Sequence, residues 1–136
     1  MSSVDPVALG LPHREPFIFI DRVVEHVPGE SAIAEKVFPL ETDFFRGHFP
    51  GSPIVPGVIL TEALAQTAGI AAGQPGRSFR LSAIRAMKFP GAVEPGELIR
   101  LQARKLGAVG GLWQFEVIAK VDDRVVAEGG VVLNEV

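Results

Sequence analysis

The chain has 136 residues, 47% hydrophobic and 21% charged, with a net charge of −3. That size suits one domain, residues 1–136, with a real core, and the mild acidity argues against a nucleic-acid binder, which would carry a basic face. With no cysteine there is no disulfide framework and no thiolate chemistry, which fits a reducing cytoplasm.

In chain order, the opening MSSVDPVALG lacks the basic and apolar regions of a secretion signal. Asp5 before Pro6 fits the cap of a short helical turn within 5–14. Residues 16–27, PFIFIDRVVEHV, are rich in aromatic and β-branched side chains and predict a strand. Pro28-Gly29 is a turn signal, and SAIAEKVF (31–38) returns as the second strand of a hairpin. Thr42-Asp43 before Phe44-Phe45 marks a turn within 40–46. His13 and His26 read as structural or exposed, because nothing in the sequence pairs with them.

Residues 47–57, GHFPGSPIVPG, hold three glycines and three prolines. Such a stretch is a shaped, stiff loop rather than regular structure. His48 stands near its start. From Val58 to Ala72 the breakers stop and one helix is predicted, with Pro56 at its entry and Gly73 and Pro75 as stop signals. Apolar residues cover every face, which predicts a helix buried on all sides, about 25 Å long at 1.5 Å per residue. Its many alanines and glycines suit close approach by another layer.

Two polar residues on one face, Glu62 and Gln66, interrupt this helix. Burial favours the uncharged form of a carboxyl group, which can then hold and donate a proton. Glu62 is therefore either a functional acid or a residue at a solvent window or subunit contact. His48 is likewise either a satisfied loop residue or a base. Taken together, an imidazole on a rigid loop, the free N–H groups of the following helix N-terminus near Gly57 and a carboxyl group in the helix are the parts needed to remove a proton beside a carbonyl.

After a linker at 73–78, residues 79–89 predict a strand whose alternation slips near Ala83-Ile84, as at a bulge. Residues 99–104 and 113–121 alternate with period two. Gly107–Gly111 is expected to turn the first into the second, and Asp122-Asp123 to turn the second into 124–133. Strands of ten residues span about 33 Å, enough to cover the helix. The predicted architecture is α+β, a strongly curved antiparallel sheet around one long central helix.

Three segments carry a family resemblance: GHFPGSPIVPGVILTEALAQ (47–66), LPHREPFIFIDRV (11–23) and WQFEVIAKVDDRVVAEGGVVL (113–133). They resemble the (3R)-3-hydroxyacyl-[acyl-carrier-protein] dehydratases of type II fatty-acid synthesis. The resemblance implies the hot-dog fold, subunits joined edge to edge in a homodimer, and a trimer of such dimers. It implies that His48 takes the proton from C2 of the acyl chain and that Glu62 assists departure of the C3 hydroxyl as water. The backbone N–H of Gly57 would polarise the thioester carbonyl, and Gln66 would orient Glu62 or its water. His48 of one subunit would face Glu62 of the other.

An apolar tunnel beside the helix would be lined by residues such as Phe49, Ile54 and Leu60. The acidic acyl carrier protein would meet a basic mouth, with Arg77, Arg80, Lys88, Arg100, Arg104 and Lys105 as candidates. Glutamate at 62 points to the dehydratase-only branch. No metal or organic cofactor, nucleic acid or membrane is implied, and the place of action would be the cytoplasm. The chain departs from the family pattern at Ser52 (a second histidine in the family), Val55 (methionine), Arg85 and Pro90-Gly91-Ala92. These positions bear on chain length, gating and carrier docking. The alternatives are a hot-dog acyl thioesterase that uses Glu62 to direct water at the carbonyl, and a non-catalytic acyl-binding subunit.

Overall fold

The computed structural model describes residues 4–73 and 77–136; Pro75, read above as a stop signal, lies outside them. Six strands, β1 (Arg22–Val27), β2 (Ser31–Val37), β3 (Phe79–Lys88), β4 (Leu98–Val109), β5 (Leu112–Val121) and β6 (Arg124–Glu135), surround one long helix, α1 (Gly57–Ala72). They form one antiparallel sheet in the order β1-β2-β4-β5-β6-β3. The expected class and architecture therefore hold.

The period-two pattern explains the core. Ile99, Leu101 and Ala103 of β4 and Trp113, Phe115, Val117 and Ala119 of β5 turn inward and are buried, as alternation requires. They meet Leu60, Leu64, Ala68, Ile70 and Ala71 of α1 in one continuous core. The fully buried Ala63, Ala68, Ala71 and Ala72 give the helix its close approach to the sheet. At its far end the β1–β2 turn is tied down by a hydrogen bond from Gly29 N–H to the Ala71 carbonyl, 2.8 Å. Among the described residues no helix is long and apolar enough to cross a membrane.

Burial of α1 is not complete on all sides, which corrects the reading from composition. Val58 is 76% exposed, and Glu62 and Gly69 on the same face are half-buried. Glu62 and Gly69 border a cavity together with residues 77–81 at the start of β3, a sheet edge. The other edge, β1, is partly covered by a bridge from Val4 to Val23.

Two further boundaries differ from expectation, and β3 carries one slip more than expected. The strand predicted over 16–27 begins only at Arg22. The Phe17 carbonyl and the Phe19 N–H are bonded to the Gln66 side chain instead, so they are withdrawn from strand pairing. The turn placed at 107–111 is confined to Gly110-Gly111, and β4 runs through Gly107 with a register shift between Lys105 and Gly107. In β3 the expected slip occurs between Leu81 and Ala83, and a second follows between Arg85 and Lys88. At this second bulge Ala86 adopts φ 49°, and Met87 lies so close to Gly129 that a Cβ there would stand 2.9 Å from the Met87 Cα. Glycine at 129 is thus a requirement of the bulge.

His26 of β1 is half-buried at the helix C-terminus, with Nε2 unpaired among the described residues. Burial lowers its pKa below the ordinary 6.5, outweighing a hydrogen bond with the Ile70 backbone that acts in the opposite direction. The unfolded chain then binds the proton more readily than the folded one. The stability owed to neutral His26 is complete above pH 6.5 and declines as the pH falls below it. Urea unfolding between pH 8 and 5 should show this decline in the parent protein and less of it in His26→Asn. Parallel curves would remove His26 as its source.

Candidate active site

The loop before α1 is over-determined. Gly47 N–H donates to the Phe44 carbonyl at 3.2 Å, Ser52 N–H to the Phe49 carbonyl at 2.8 Å and Val55 N–H to the Val93 carbonyl at 2.8 Å. Phe49 is held at φ 56°, a left-handed conformation uncommon for a bulky side chain. Such strain persists only where the surroundings enforce it, and it clusters at functional sites. The Phe49 ring meets the His48 ring edge to face, centroids 4.6 Å apart.

His48 Nδ1 lies 3.0 Å from the Ile54 carbonyl oxygen. A carbonyl can only accept, so Nδ1 carries the hydrogen and Nε2 presents its lone pair. His48, Phe49, Ile54, Gly57, Leu60 and Phe89 line one cleft of about 450 Å³. Three of these, Phe49, Ile54 and Leu60, were the expected tunnel residues. Gly57 opens α1, and the first helical hydrogen bonds come from Ile59 and Leu60 to the Pro56 carbonyl. The N–H groups of Gly57 and Val58 have no backbone partner among the described residues, as at any uncapped helix start. A Cβ at Gly57 would stand 3.1 Å from the Phe89 ring, so glycine also lets Phe89 close over this end of the helix.

Glu62 lies elsewhere. It lines a second cavity, of about 190 Å³, together with Gln66, His13, Phe17, Gly69 and residues 77–81 at the start of β3. Its side chain is 20% exposed, so it is half-buried at this opening rather than sealed in the core. Gln66 is buried and fully engaged. Its Nε2 donates to Glu62 Oε2 at 3.1 Å and to the Phe17 carbonyl at 2.9 Å, and its Oε1 accepts from Phe19 N–H at 3.0 Å. Gln66 and Glu62 are therefore in direct contact.

One protomer thus brings together His48, Phe49 and Gly57 in one cleft and Glu62 and Gln66 in another. His13, read from sequence as structural or exposed, is a resident of the Glu62 cavity, its Nε2 3.5 Å from Glu62 Oε2. The only sequence signal for it was its place in the 11–23 motif. Of the six basic candidates, Arg77 and Arg80 line the Glu62 cavity. Arg77 also pairs with Glu135, Arg100 with Glu35 and Arg104 with Glu116, and Lys105 sits 4.2 Å over the Trp113 ring. These four are engaged in local structure.

Comparison with known proteins agrees with the motifs. Residues 11–130 match the model of the FabA-like domain. The chain is 44% identical over 123 residues to the 3-hydroxyacyl-[acyl-carrier-protein] dehydratase FabZ of Ruminiclostridium cellulolyticum, covering 88% of this chain and 87% of that protein. It is 40% identical over 124 residues to the FabZ of Acidiphilium cryptum, covering 87% and 75%. Among solved structures, the dehydratase heterocomplex ApeI:P from Xenorhabdus doucetiae superposes with a TM-score of 0.77 at 17% identity, over 98% of this chain and 92% of that one; this shows likeness of fold.

Proposed function

We propose, for a chain that belongs to the FabA-like family and within it to the 3-hydroxyacyl-[acyl-carrier-protein] dehydratases, that it removes water from a (3R)-3-hydroxyacyl chain on acyl carrier protein to give the trans-2-enoyl thioester. The supporting observation is the division of the site. The base-bearing cleft and the acid-bearing cavity are separate in one protomer, and the acid-bearing one opens beside a sheet edge.

A second copy paired along β3 would close that gap. The edge strand carries Leu81 and Ile84, 40% and 51% exposed, and is followed by the half-exposed Phe89. Apolar side chains on an unpaired edge favour strand pairing, and a two-fold axis would deliver each cleft to the opposite cavity. We infer a homodimer on this ground and, from the family resemblance, a trimer of such dimers.

In the completed site His48 Nε2 takes the C2 proton, while the Gly57 N–H donates a hydrogen bond to the thioester oxygen as negative charge develops on it at the helix N-terminus. Glu62 delivers a proton to the departing C3 hydroxyl. Phe49, Ile54 and Leu60 provide apolar wall for the acyl chain. Arg77 and Arg80 stand at the rim of the Glu62 cavity, where an acidic carrier would dock.

The test is direct. Purified protein given a 3-hydroxyacyl thioester on carrier protein should accumulate enoyl absorbance with no release of free thiol. Thiol release without the enoyl product would assign a thioesterase instead, and neither signal would leave a binding subunit.

A further inference from the structure

We propose that His13 is a positioning residue for Glu62: together with Gln66 it holds one carboxyl oxygen, so that the acid's proton is carried by the other. This rests on the dehydratase reading of the site. Glu62 Oε2 accepts from Gln66 Nε2 at 3.1 Å and faces His13 Nε2 at 3.5 Å. Oε1 has no hydrogen bond among the described residues, and the side chain borders the cavity. An oxygen already facing two N–H donors is a poor place for a proton. The proton therefore belongs on Oε1.

That placement is what the elimination needs. The C2–H electron pair becomes the C2=C3 bond, and the C2 proton goes to His48 Nε2. The C3–O bond breaks with its electrons on oxygen, and the proton from Glu62 Oε1 completes the water. Glu62 is left as a carboxylate, its Oε2 still bound to the amide of Gln66.

The surroundings of His13 argue for a role beyond filling space. Among the described residues its Nδ1 is buried without a partner, and buried polar atoms are rarely left so. Lacking an acceptor, Nδ1 is the lone-pair nitrogen, and Nε2 carries the hydrogen toward Glu62. The ring stacks on Phe17, centroids 5.8 Å apart and planes 25° apart. Phe17 is in turn gripped through its carbonyl by Gln66. Gln66 thus ties the carboxyl group and the Phe17 backbone together by hydrogen bonds, and the imidazole, stacked on Phe17, is set 3.5 Å from the carboxyl oxygen. A phenyl ring would fill the same volume without an unpaired nitrogen.

The test compares His13→Phe, which keeps an aromatic ring and loses the donor, with His13→Gln, whose amide N–H can reach the same oxygen. Circular dichroism and gel filtration establish that each variant is folded and assembled; His13→Met replaces the phenylalanine variant should that one fail. His13→Phe should lower kcat by about 10- to 100-fold, the scale of a misplaced catalytic group, with KM changed less than about threefold. His13→Gln should recover most of the loss. A His13→Phe protein with parental kcat would overturn the proposal, as would a His13→Gln protein no faster than it. An inactive parent protein would strike the dehydratase reading itself, and is seen before any variant is made.

Discussion

The His48→Ala protein is expected to fold and assemble, to retain affinity for the acyl thioester, and to lose about 10²- to 10⁴-fold in dehydration, the contribution of a positioned general base. The fold should tolerate the change because the loop does not depend on the ring. Its shape comes from backbone bonds at Gly47, Ser52 and Val55, and the ring adds one bond to the Ile54 carbonyl. Unchanged turnover in this variant would leave C2 without its base.

The same variant also tests whether the site is shared. His48→Ala and Glu62→Gln, each inactive alone, are mixed under conditions that exchange subunits. In a mixed dimer with shared sites, one site combines both defects and the other has neither. Random exchange makes half the dimers mixed, each with one intact site of two, so about a quarter of the parental activity should return. A site built within one chain would stay dead in the mixture. Chemical crosslinking confirms that exchange has taken place.

Much of this arrangement was legible in the sequence because it depends on local chemistry. Proline and glycine at 50, 51, 53, 56 and 57 shape the loop wherever the rest of the chain lies, and the apolar run after Gly57 can only be a core helix. Alternation in 99–104 and 113–121 sets the inward face of β4 and β5 without reference to other strands. What stayed hidden was long-range. Residues 17–20 have strand composition, yet the Phe17 carbonyl and the Phe19 N–H are claimed by a glutamine almost fifty positions away. His13 had no sequence neighbour to pair with, and Glu62, 3.5 Å from it, lies on the helix to which Gln66 ties the Phe17 and Phe19 backbone. The open stripe of α1 was equally invisible. Val58 is as apolar as its neighbours, and its exposure reflects where the sheet ends rather than what the residue is.

The division of the site also gives a physical reason for an acid in so apolar a helix. In one protomer Glu62 retains contact with solvent through its cavity, so its charge costs less than in a sealed core. Closure by a second copy along β3 would remove that water and place an apolar acyl chain nearby.

Glu62→Gln is accordingly expected to lose about 10²- to 10⁴-fold in dehydration, because an amide cannot give up a proton to the leaving hydroxyl. The exchange nearly preserves shape, and Gln66 Nε2 can still donate to an oxygen at position 62. The parental bond is 3.1 Å, and no group need move to keep it. The unfolding midpoint should therefore hold or rise, since a second copy closing along β3 would have no charge there to desolvate. Two measurements on one preparation, thermal unfolding and enoyl formation, separate the roles. Lost activity with unchanged or higher stability identifies the acid. Retained activity would make Glu62 a structural partner of Gln66, and the proton for the departing hydroxyl would have to come from another group.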